Sequence, residues 1–453
     1  MNPFTTILLL VIALVPHLVS AEFPNPNKLE QLQALPADTQ GISLASWGGK
    51  EDLAASLRYL RNFKKLRSLN LSQANIENAE LAFLADLPKL ESLTFRGRRG
   101  YGNNRVDDEG IASLLACPNL KHLKLGALGL TDNACKTLGK LNQLESLALD
   151  ANLITDEGLT HLRGLRHLQE LNLRGNTKIN GNGIRHLANL PALREVMLPH
   201  TFRALDSHLQ HIGELRQLRK LHLGGNTEPG ITDTGMAALR HLTQLESLQI
   251  ELCDGITDAG YSHLSARDKL TELRLRRITR MTRESVSVIA GLSQLRLLKI
   301  TDAHKLSAAD LDPLAKLGKL EELTLWNVGR GRGDFAFCSK LTALRTLLTT
   351  EDITPARLAS VAQAGNLRSL TFNSKAFPPS SQRALATMTT LEHLHMSIPV
   401  LTDEAVTMLA GLRELRTLRL LGQGFARNPK ALKTLAQQLP NCEVRTRDGV
   451  VAP

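Results

Sequence analysis

The sequence predicts an α/β solenoid, a stack of about 15 short strand–turn–helix units. Two observations support this class: leucine recurs at nearly fixed intervals along the 453 residues, and aromatic residues make up only 4% of them. A core that is rich in leucine and poor in aromatics indicates small, similar layers rather than several large globular domains. We therefore expect one repetitive array.

Each unit begins with the pattern leucine, two residues, leucine, one residue, leucine, and most units start 24 or 25 residues after the previous one. The first, fourth and sixth positions are nearly all aliphatic, as in Leu168, Leu171 and Leu173. Alternation with period two is typical of a short strand with one buried face, so we expect the second, third, fifth, seventh and eighth positions on the opposite face or its edge. The units start at Leu66, Leu90, Leu120, Leu144, Leu168, Leu193, Leu218, Leu245, Leu270, Leu295, Leu320, Leu344, Leu367, Leu391 and Leu415.

A helix-start signal follows the strand in several units, as in Ile154-Thr155-Asp156, Ile231-Thr232-Asp233 and Ile256-Thr257-Asp258. Threonine can accept a hydrogen bond from a free backbone N–H there, and the acidic residue complements the positive end of the helix dipole. One unit cannot bury its apolar face alone, so neighbouring units must stack, with parallel strands on one side and bulkier helices on the other. The expected result is a right-handed horseshoe with a parallel concave sheet and short convex helices.

Two sets of positions depart from the simple pattern. The ninth position of some units holds Asn152, Asn176, Asn226 or Cys253, where a small polar side chain can satisfy backbone groups at the buried turn. Further along, a glycine-rich run at 329–334 replaces the helix-start signal, and Thr349 places a polar residue at a core position. Residues 325–355 are therefore expected to be the least regular layer. The tripeptide Arg332-Gly333-Asp334 matches an adhesion motif, but its chance frequency favours a glycine-rich loop.

The N-terminal segment predicts export. Residues 1–21 contain no Lys, Arg, Asp or Glu, Ile7 to Leu14 is an aliphatic run, and Val19-Ser20-Ala21 supplies the small residues that a signal peptidase requires. We predict a signal peptide cleaved after Ala21, with an uncleaved anchor as the alternative, and a secreted, periplasmic or cell-surface location. The expected organisation is a signal peptide at 1–21, an N-terminal cap at 22–64, a solenoid at 65–441 with units of 23–30 residues, and a closing strand and tail at 442–453.

The residue types that carry chemistry form no recognisable catalytic, cofactor or metal site. His393 and His395 lie two apart on one strand, without a third ligand of matching register. Neither a phosphate-binding loop nor a catalytic set of residues can be argued, so we expect a protein that is not an enzyme. The cysteines have neither paired spacing nor a nearby histidine cluster, so buried free thiols are expected. They are Cys117, Cys135, Cys253, Cys338 and Cys442.

The run from Leu245 to Gly260, with Cys253 and Ile256-Thr257-Asp258-Ala259-Gly260, resembles the cysteine-containing class of leucine-rich repeats, related to the ribonuclease-inhibitor-like group. Residues 41–446, with an export signal in front, resemble the secreted leucine-rich-repeat proteins of bacteria. This resemblance implies protein–protein recognition and supplies no catalytic residues. Two alternatives stay open: an F-box-like substrate-recognition protein of a ubiquitin ligase, and the targeting arm of an enzyme whose catalytic domain is not on this chain.

Basic residues at the predicted concave positions mark a candidate binding surface. The formal net charge of +11 favours acidic partners. Arginine can pair bidentately with carboxylate or phosphate, and tryptophan is typical of interface anchors. We therefore predict an acidic protein or an anionic glycan as partner, whereas the scarcity of stacking aromatics argues against nucleic acid. A solvated charged face, offset by neighbouring glutamates, is the alternative. The predicted residues are His122, Lys124, Arg219, Lys220, His222, Arg274, Arg276, Arg277, Arg296, Lys299 and Trp326.

Overall fold

A computed structural model describes residues 23–45, 47, 50–74, 76–97, 106–198, 206–224, 230–265, 267–329, 331, 333–421, 429–447 and 449–451. The chain divides into two compact units, the first within residues 1–153 and 164–168 and the second within residues 154–163 and 169–453. The predicted signal peptide, Asn226 and Arg332 lie outside the described residues.

The first unit is a ladder of parallel three-residue strands separated by short helical segments. Equivalent leucines lie opposite each other, because Leu69, Leu93, Leu123 and Leu147 are paired in sequence along the ladder. The strands are β1 (Gly41–Ser43), β2 (Ser68–Asn70), β3 (Ser92–Thr94), β4 (His122–Lys124) and β5 (Ser146–Ala148). The helices are α1 (Leu29–Gln33), α2 (Lys50–Tyr59) and α3 (Asp132–Leu138), with 3₁₀ segments at Leu60–Asn62, Asn78–Asp86 and Gly110–Ala116.

The second unit has the same alternation, and consecutive strands pair in parallel from β6 to β17 before an antiparallel hairpin of β17 and β18. Its strands are β6 (Glu170–Asn172), β7 (Glu195–Met197), β8 (Lys220–Gly224), β9 (Ser247–Glu251), β10 (Glu272–Arg276), β11 (Leu297–Thr301), β12 (Glu322–Trp326), β13 (Thr346–Asp352), β14 (Ser369–Asn373), β15 (His393–Ser397), β16 (Thr417–Leu421), β17 (Glu443–Thr446) and β18 (Gly449–Val450).

The helices of the second unit are equally short. They are α4 (Asp156–His161), α5 (Asp206–Gly213), α6 (Asp233–Met236), α7 (Asp258–Ser262), α8 (Arg283–Ala290), α9 (Pro355–Ala362), α10 (Pro379–Ala386), α11 (Asp403–Ala410) and α12 (Pro429–Gln438). Segments of 3₁₀ helix occupy Leu162–Gly164, Asn182–Asn189, Ala237–His241, Ala309–Lys316 and Ala336–Lys340.

The predicted strand register is confirmed. Leu245, Leu248 and Ile250, at the first, fourth and sixth positions of one unit, are buried, whereas Ser247 and Gln249 between them are half-buried on the other side of the strand. The aliphatic side chains of each strand pack between the sheet and the helices. The predicted α/β solenoid class is thus confirmed in the stacking of strands and helices.

The threonine of the helix-start signal has two hydrogen-bonding roles. The Thr257 hydroxyl accepts a hydrogen bond from the Ala259 N–H at 3.3 Å, as the sequence predicts. It also donates to Asp233 of the preceding unit at 2.6 Å, and the Thr257 N–H donates to the same carboxylate at 2.7 Å. Asp233, which follows Thr232, therefore binds the threonine of the next unit. The sequence predicted only its favourable charge at the helix start and not this bond.

Asn152 confirms the role predicted for the ninth position. Its side-chain oxygen accepts hydrogen bonds from the N–H groups of Leu128 and Leu130 at 3.0 and 3.1 Å. Its amide nitrogen donates to the carbonyl oxygens of Leu125 and Leu149 at 2.7 and 3.0 Å. One buried amide thus satisfies four backbone groups that lie too deep for water.

The layer at 325–355 is irregular, as expected. The pairing of β13 with β14 shifts between Leu348 and Asp352, and the Thr349 side chain is buried at a core position. Phe335 has a left-handed backbone with φ of 62°, a conformation that is unfavourable for a bulky residue, and its ring is buried.

Arg357 of α9 holds this layer in place. It is only 4% exposed, and its guanidinium donates hydrogen bonds to the carbonyl oxygens of Gly331 and Gly333 at 2.6 and 2.9 Å. Its guanidinium carbon lies 4.9 Å from the centre of the Phe335 ring. Asp334 accepts a hydrogen bond from the Ala336 N–H at 3.0 Å. Two residues of the adhesion-like tripeptide thus have bonds within the chain, which agrees with its interpretation as a structural loop.

The link between Asp233 and Thr257 predicts a measurable coupling. Asp233→Ala should lower the free energy of unfolding by about 1.5–3 kcal/mol, because two charge-assisted hydrogen bonds are lost. In the matched control, Asp86→Ala at an exposed helix end, the change should stay within about 0.5 kcal/mol. Urea unfolding of both variants measures this. If Asp233→Ala costs the same in a Thr257→Val background, the bond from the Thr257 hydroxyl is not part of the cause.

Candidate binding surface on the sheet

The predicted surface residues fall into three structural groups. On the exposed face of the sheet are residues at third, fifth and seventh positions: His122 and Lys124 on β4, Lys220 and His222 on β8, Arg274 and Arg276 on β10, Lys299 on β11 and Trp326 on β12. Arg219 and Arg296 lie at second positions, immediately before their strands. Arg277 follows β10 and has a left-handed backbone with φ of 53°. The structure thus brings together only part of the set.

The most polar part of this face lies on β8 to β11, where the parallel register places polar residues side by side. His222, Gln249, Arg274 and Lys299 are paired in sequence across β8 to β11, and Glu251 is paired with Arg276. Neighbouring strands lie about 4.8 Å apart, so these side chains project beside one another. We call His222, Glu251, Arg274, Arg276 and Lys299 the sheet-face cluster.

His222 and Glu251 form a buried pair within the sheet-face cluster. They are 8% and 5% exposed, and His222 Nε2 lies 3.4 Å from Glu251 Oε1. Gln249 also donates to Glu251, and Arg276 Nη1 lies 3.6 Å from its other oxygen. From its fifth position in the unit, His222 was expected to lie on an open face. The structure corrects that expectation, since neighbouring long side chains cover the ring.

Burial lowers the pKa of His222 below its usual value of 6.5. The bond to Glu251 acts in the opposite direction, whereas the positive charges of Arg174 and Arg274 also lower this pKa. Arg174 lies two residues after β6 and reaches the ring, with its Nη2 3.4 Å from His222 Nε2. The net effect favours a neutral imidazole in the folded chain.

Arg274 and Lys299 place two positive charges side by side. Burial lowers the pKa of Lys299, and the charge of Arg274 lowers it further, because each cation disfavours the other. Arg274 Nη1 lies 2.6 Å from the acidic group of Glu272, at its Oε2. Burial raises the pKa of Glu272, but the hydrogen bonds of Arg274 and Ser247 and the charges of Arg274 and Lys220 together outweigh it, and the net shift is downward. An anion placed over Lys299 would relieve this repulsion.

Other predicted basic residues have acidic partners in the chain. Lys220 Nζ lies 3.1 Å from Glu195, and Arg219 Nη1 lies 3.1 Å from Glu246. Arg296 forms the same kind of pair with Glu321. The predicted offset by glutamates is therefore present for much of the set. Lys299 and Arg277 have no ion pair among the described residues, although the charges of Glu322 and Glu272 act on Lys299.

Apolar side chains adjoin the basic ones. Trp326 is half-buried and lies opposite Thr301 in the register of β11 and β12. Leu297 and Leu348, on β11 and β13, are half-buried on the same face. Leu297 was not singled out from the sequence, although its third position marks it as surface-facing. The face therefore offers apolar area beside positive charge.

Four of the five cysteines show the buried character that the sequence predicts, and for Cys442 that expectation was wrong. Four are buried and Cys442 is partly exposed, and all five are free thiols. Burial raises the pKa of Cys117 to about 11 and that of Cys338 to about 12, so neither is a thiolate at neutral pH. Cys253 donates a weak hydrogen bond to the carbonyl oxygen of Glu251 at 3.3 Å.

The remaining histidine pair gives no metal centre. His393 Nδ1 lies 2.8 Å from the Thr417 hydroxyl, and burial together with the charge of Arg419 lowers the pKa of His395. In the part of the chain that the structure describes, no three His, Cys, Asp or Glu side chains are grouped to bind a metal. Within the same residues, no helix has both the length and the apolar character needed to span a bilayer.

Stacked units with a leucine column inside and a polar sheet face outside define a repeat solenoid. The sequence model of the leucine-rich repeat region matches residues 102–339, just over half of the chain, and the chain belongs to the leucine-rich-repeat family. This fold suggests a scaffold for protein–protein interaction.

Two solved structures illustrate the likeness. A leucine-rich-repeat protein of Leptospira interrogans is 19% identical, with 92% of this chain and 97% of that chain covered and a TM-score of 0.54. An internalin of Listeria monocytogenes is 20% identical, with 80% of this chain and 93% of that chain covered and a TM-score of 0.47. At such identity the first likeness establishes the fold alone.

The buried His222 predicts a pH dependence of stability. Because its folded pKa lies below 6.5, the unfolded chain binds the proton more tightly, and stability falls as pH drops through 6.5. His222→Gln keeps a hydrogen-bonding group and should lose less stability than the wild type between pH 7.5 and 5.5. Urea unfolding at both pH values measures this. Equal losses in the two proteins would contradict a buried neutral imidazole.

Proposed function

We propose that the chain is an exported, non-enzymatic binding scaffold whose sheet-face cluster holds an acidic protein. The observation that carries this proposal is the adjacency of Arg274 and Lys299 on a face that also presents Trp326. Like charges on neighbouring strands destabilise a sheet, and a partner carboxylate would turn that repulsion into attraction.

The neighbouring apolar residues favour a protein over an anionic glycan. Leu297 and Leu348 flank the polar row and offer aliphatic area to a partner, and Trp326 is the kind of side chain that anchors protein interfaces. A polyanionic sugar would use the charges but leave the leucines uncovered. An acidic protein uses both.

Export is supported by residues 1–21, whose uncharged, aliphatic composition ending in small residues is typical of a secretory signal. We expect the mature protein, recovered from the culture medium or the cell envelope, to begin at Glu22. Cell fractionation followed by N-terminal sequencing measures this. Recovery in the cytoplasm with Met1 and residues 2–21 intact would overturn the export proposal and strengthen the F-box-like alternative.

Charge reversal tests the proposed surface. Proteins captured by the immobilised chain are identified by mass spectrometry, and their affinities are measured by titration calorimetry. Arg274→Glu with Arg276→Glu should weaken binding of the acidic partner at least about tenfold and flatten its salt dependence, because the attractive charges are removed.

The matched control reverses two exposed arginines on the helix side, Arg163→Glu with Arg240→Glu, and should leave the affinity unchanged. Thermal denaturation confirms that each variant is folded. Equal losses from both pairs would show that the positive charge acts nonspecifically and that the sheet-face cluster is not the site.

A further inference from the structure

The second positions of the units form what we call the strand-start edge, and its charges alternate over parts of the chain. In the first unit, Lys121 Nζ lies 3.4 Å from Glu145, and Arg67 is paired with Glu91 in the same way. The second unit repeats the pattern at Arg219 with Glu246 and at Arg296 with Glu321. A basic side chain is thus met by a glutamate of the next unit.

The alternation is interrupted at Gln169 and Arg194, at Thr271, and again at Arg345. Its neighbour Glu321 is bonded to Arg296, with 2.5 Å between Oε1 and Nη1. The next unit supplies Arg368 instead of an acid, and Arg368 is itself bonded to Glu392. Arg345 is exposed and has no ion pair among the described residues, so it is a cation whose regular partner is missing.

The side chains next to Arg345 along the strand-start edge are also short. In most earlier units the residue two places before the second position is long, Asn119 and Ala192 being the exceptions, and Lys319 Nζ reaches across to Gln294 at 2.6 Å. At the corresponding places β13 to β15 are preceded by Ala343, Asn366 and Thr390. These shorter side chains leave an open groove of about 500 Å³ along the edge. We call it the arginine groove. Its charged lining residues are Arg345, Arg368, Glu392 and Arg416 at second positions and Glu414 two places before Arg416.

One end of the arginine groove already holds a carboxylate. Glu392 Oε1 lies 2.7 Å from Arg368 Nη1, and its Oε2 lies 3.4 Å from Arg416 Nε. This glutamate shows which anion fits between guanidinium groups at this spacing. At the other end, Arg345 faces the same groove without such a group.

We propose that the arginine groove is a second binding site, which takes an aspartate or glutamate side chain of an acidic peptide against Arg345. The ligand carboxylate would occupy the place that a glutamate of the chain fills beside the other paired arginines of the strand-start edge. This site is separate from the sheet-face cluster, because its residues lie at second positions of β13 to β16 and not on the face of β8 to β11.

A fluorescein-labelled hexaglutamate peptide tests the site by fluorescence anisotropy. The background is the full chain with Arg274→Glu and Arg276→Glu, which prevents the sheet-face cluster from contributing. Arg345→Gln should weaken binding about threefold to fivefold, the range expected for one exposed ion pair. Ala343→Glu, which supplies the missing carboxylate within the chain and fills the groove, should weaken binding at least as much.

Arg67→Gln is the matched control, since it removes an arginine of the strand-start edge that already has a glutamate partner, Glu91, and it should change the affinity less than twofold. Equal losses from Arg67→Gln and Arg345→Gln, or no binding of the peptide, would overturn the proposal. Succinate should displace the peptide better than inorganic phosphate at equal ionic strength. Stronger displacement by phosphate would overturn the assignment to a carboxylate.

Discussion

In-register stacking of the leucine columns governs the surface as well as the core. Leu248, Leu273 and Leu298 lie opposite one another on successive strands, so the residues one place further along do the same. A slip of one residue would exchange the buried and exposed faces, at the cost of placing leucine in water. The apolar register therefore fixes which polar side chains become neighbours, although they lie one repeat apart in the sequence.

The same register determines which charged side chains are neighbours in a repeat solenoid. A basic residue retained at one position in successive units creates a row of like charges, whereas alternation with glutamate neutralises the row. Exposed ion pairs add little stability by themselves, so the alternation chiefly avoids repulsion. The row of Arg274 and Lys299 and the strand-start edge at Arg345 both interrupt it. At these places Lys299 and Arg345 have no ion pair among the described residues.

The links between units are not the same throughout. Asp233 and Thr257 join two units through the helix-start signal, and Asn152 joins backbone groups of others. The glycine-rich layer has no such signal, and there Arg357 bonds the carbonyl groups of Gly331 and Gly333 instead. A buried guanidinium with several donors can hold irregular backbone that a single hydroxyl could not.

The sequence by itself determined the strand register, the helix starts and the burial of four of the thiols. Each of these depends on a periodic pattern within one unit, and Leu171 or Thr257 carries that information in its immediate neighbours. The irregular layer near Thr349 was also predictable, because a polar residue at a core position breaks the period. The binding residues at third, fifth and seventh positions follow from the same alternation, and their assignment to a site stays a proposal.

Only the tertiary structure decided the state of each surface side chain. Arg174 and His222 are 48 residues apart in the chain. They meet because β6 and β8 both pair with β7, and because the arginine that follows β6 is long enough to reach across β7. The burial of Glu251, the missing partner of Arg345 and the groove beside Ala343 depend in the same way on side-chain length across units. Periodicity fixes where a side chain starts, but the contacts at its far end are set by neighbours that the repeat brings together in space.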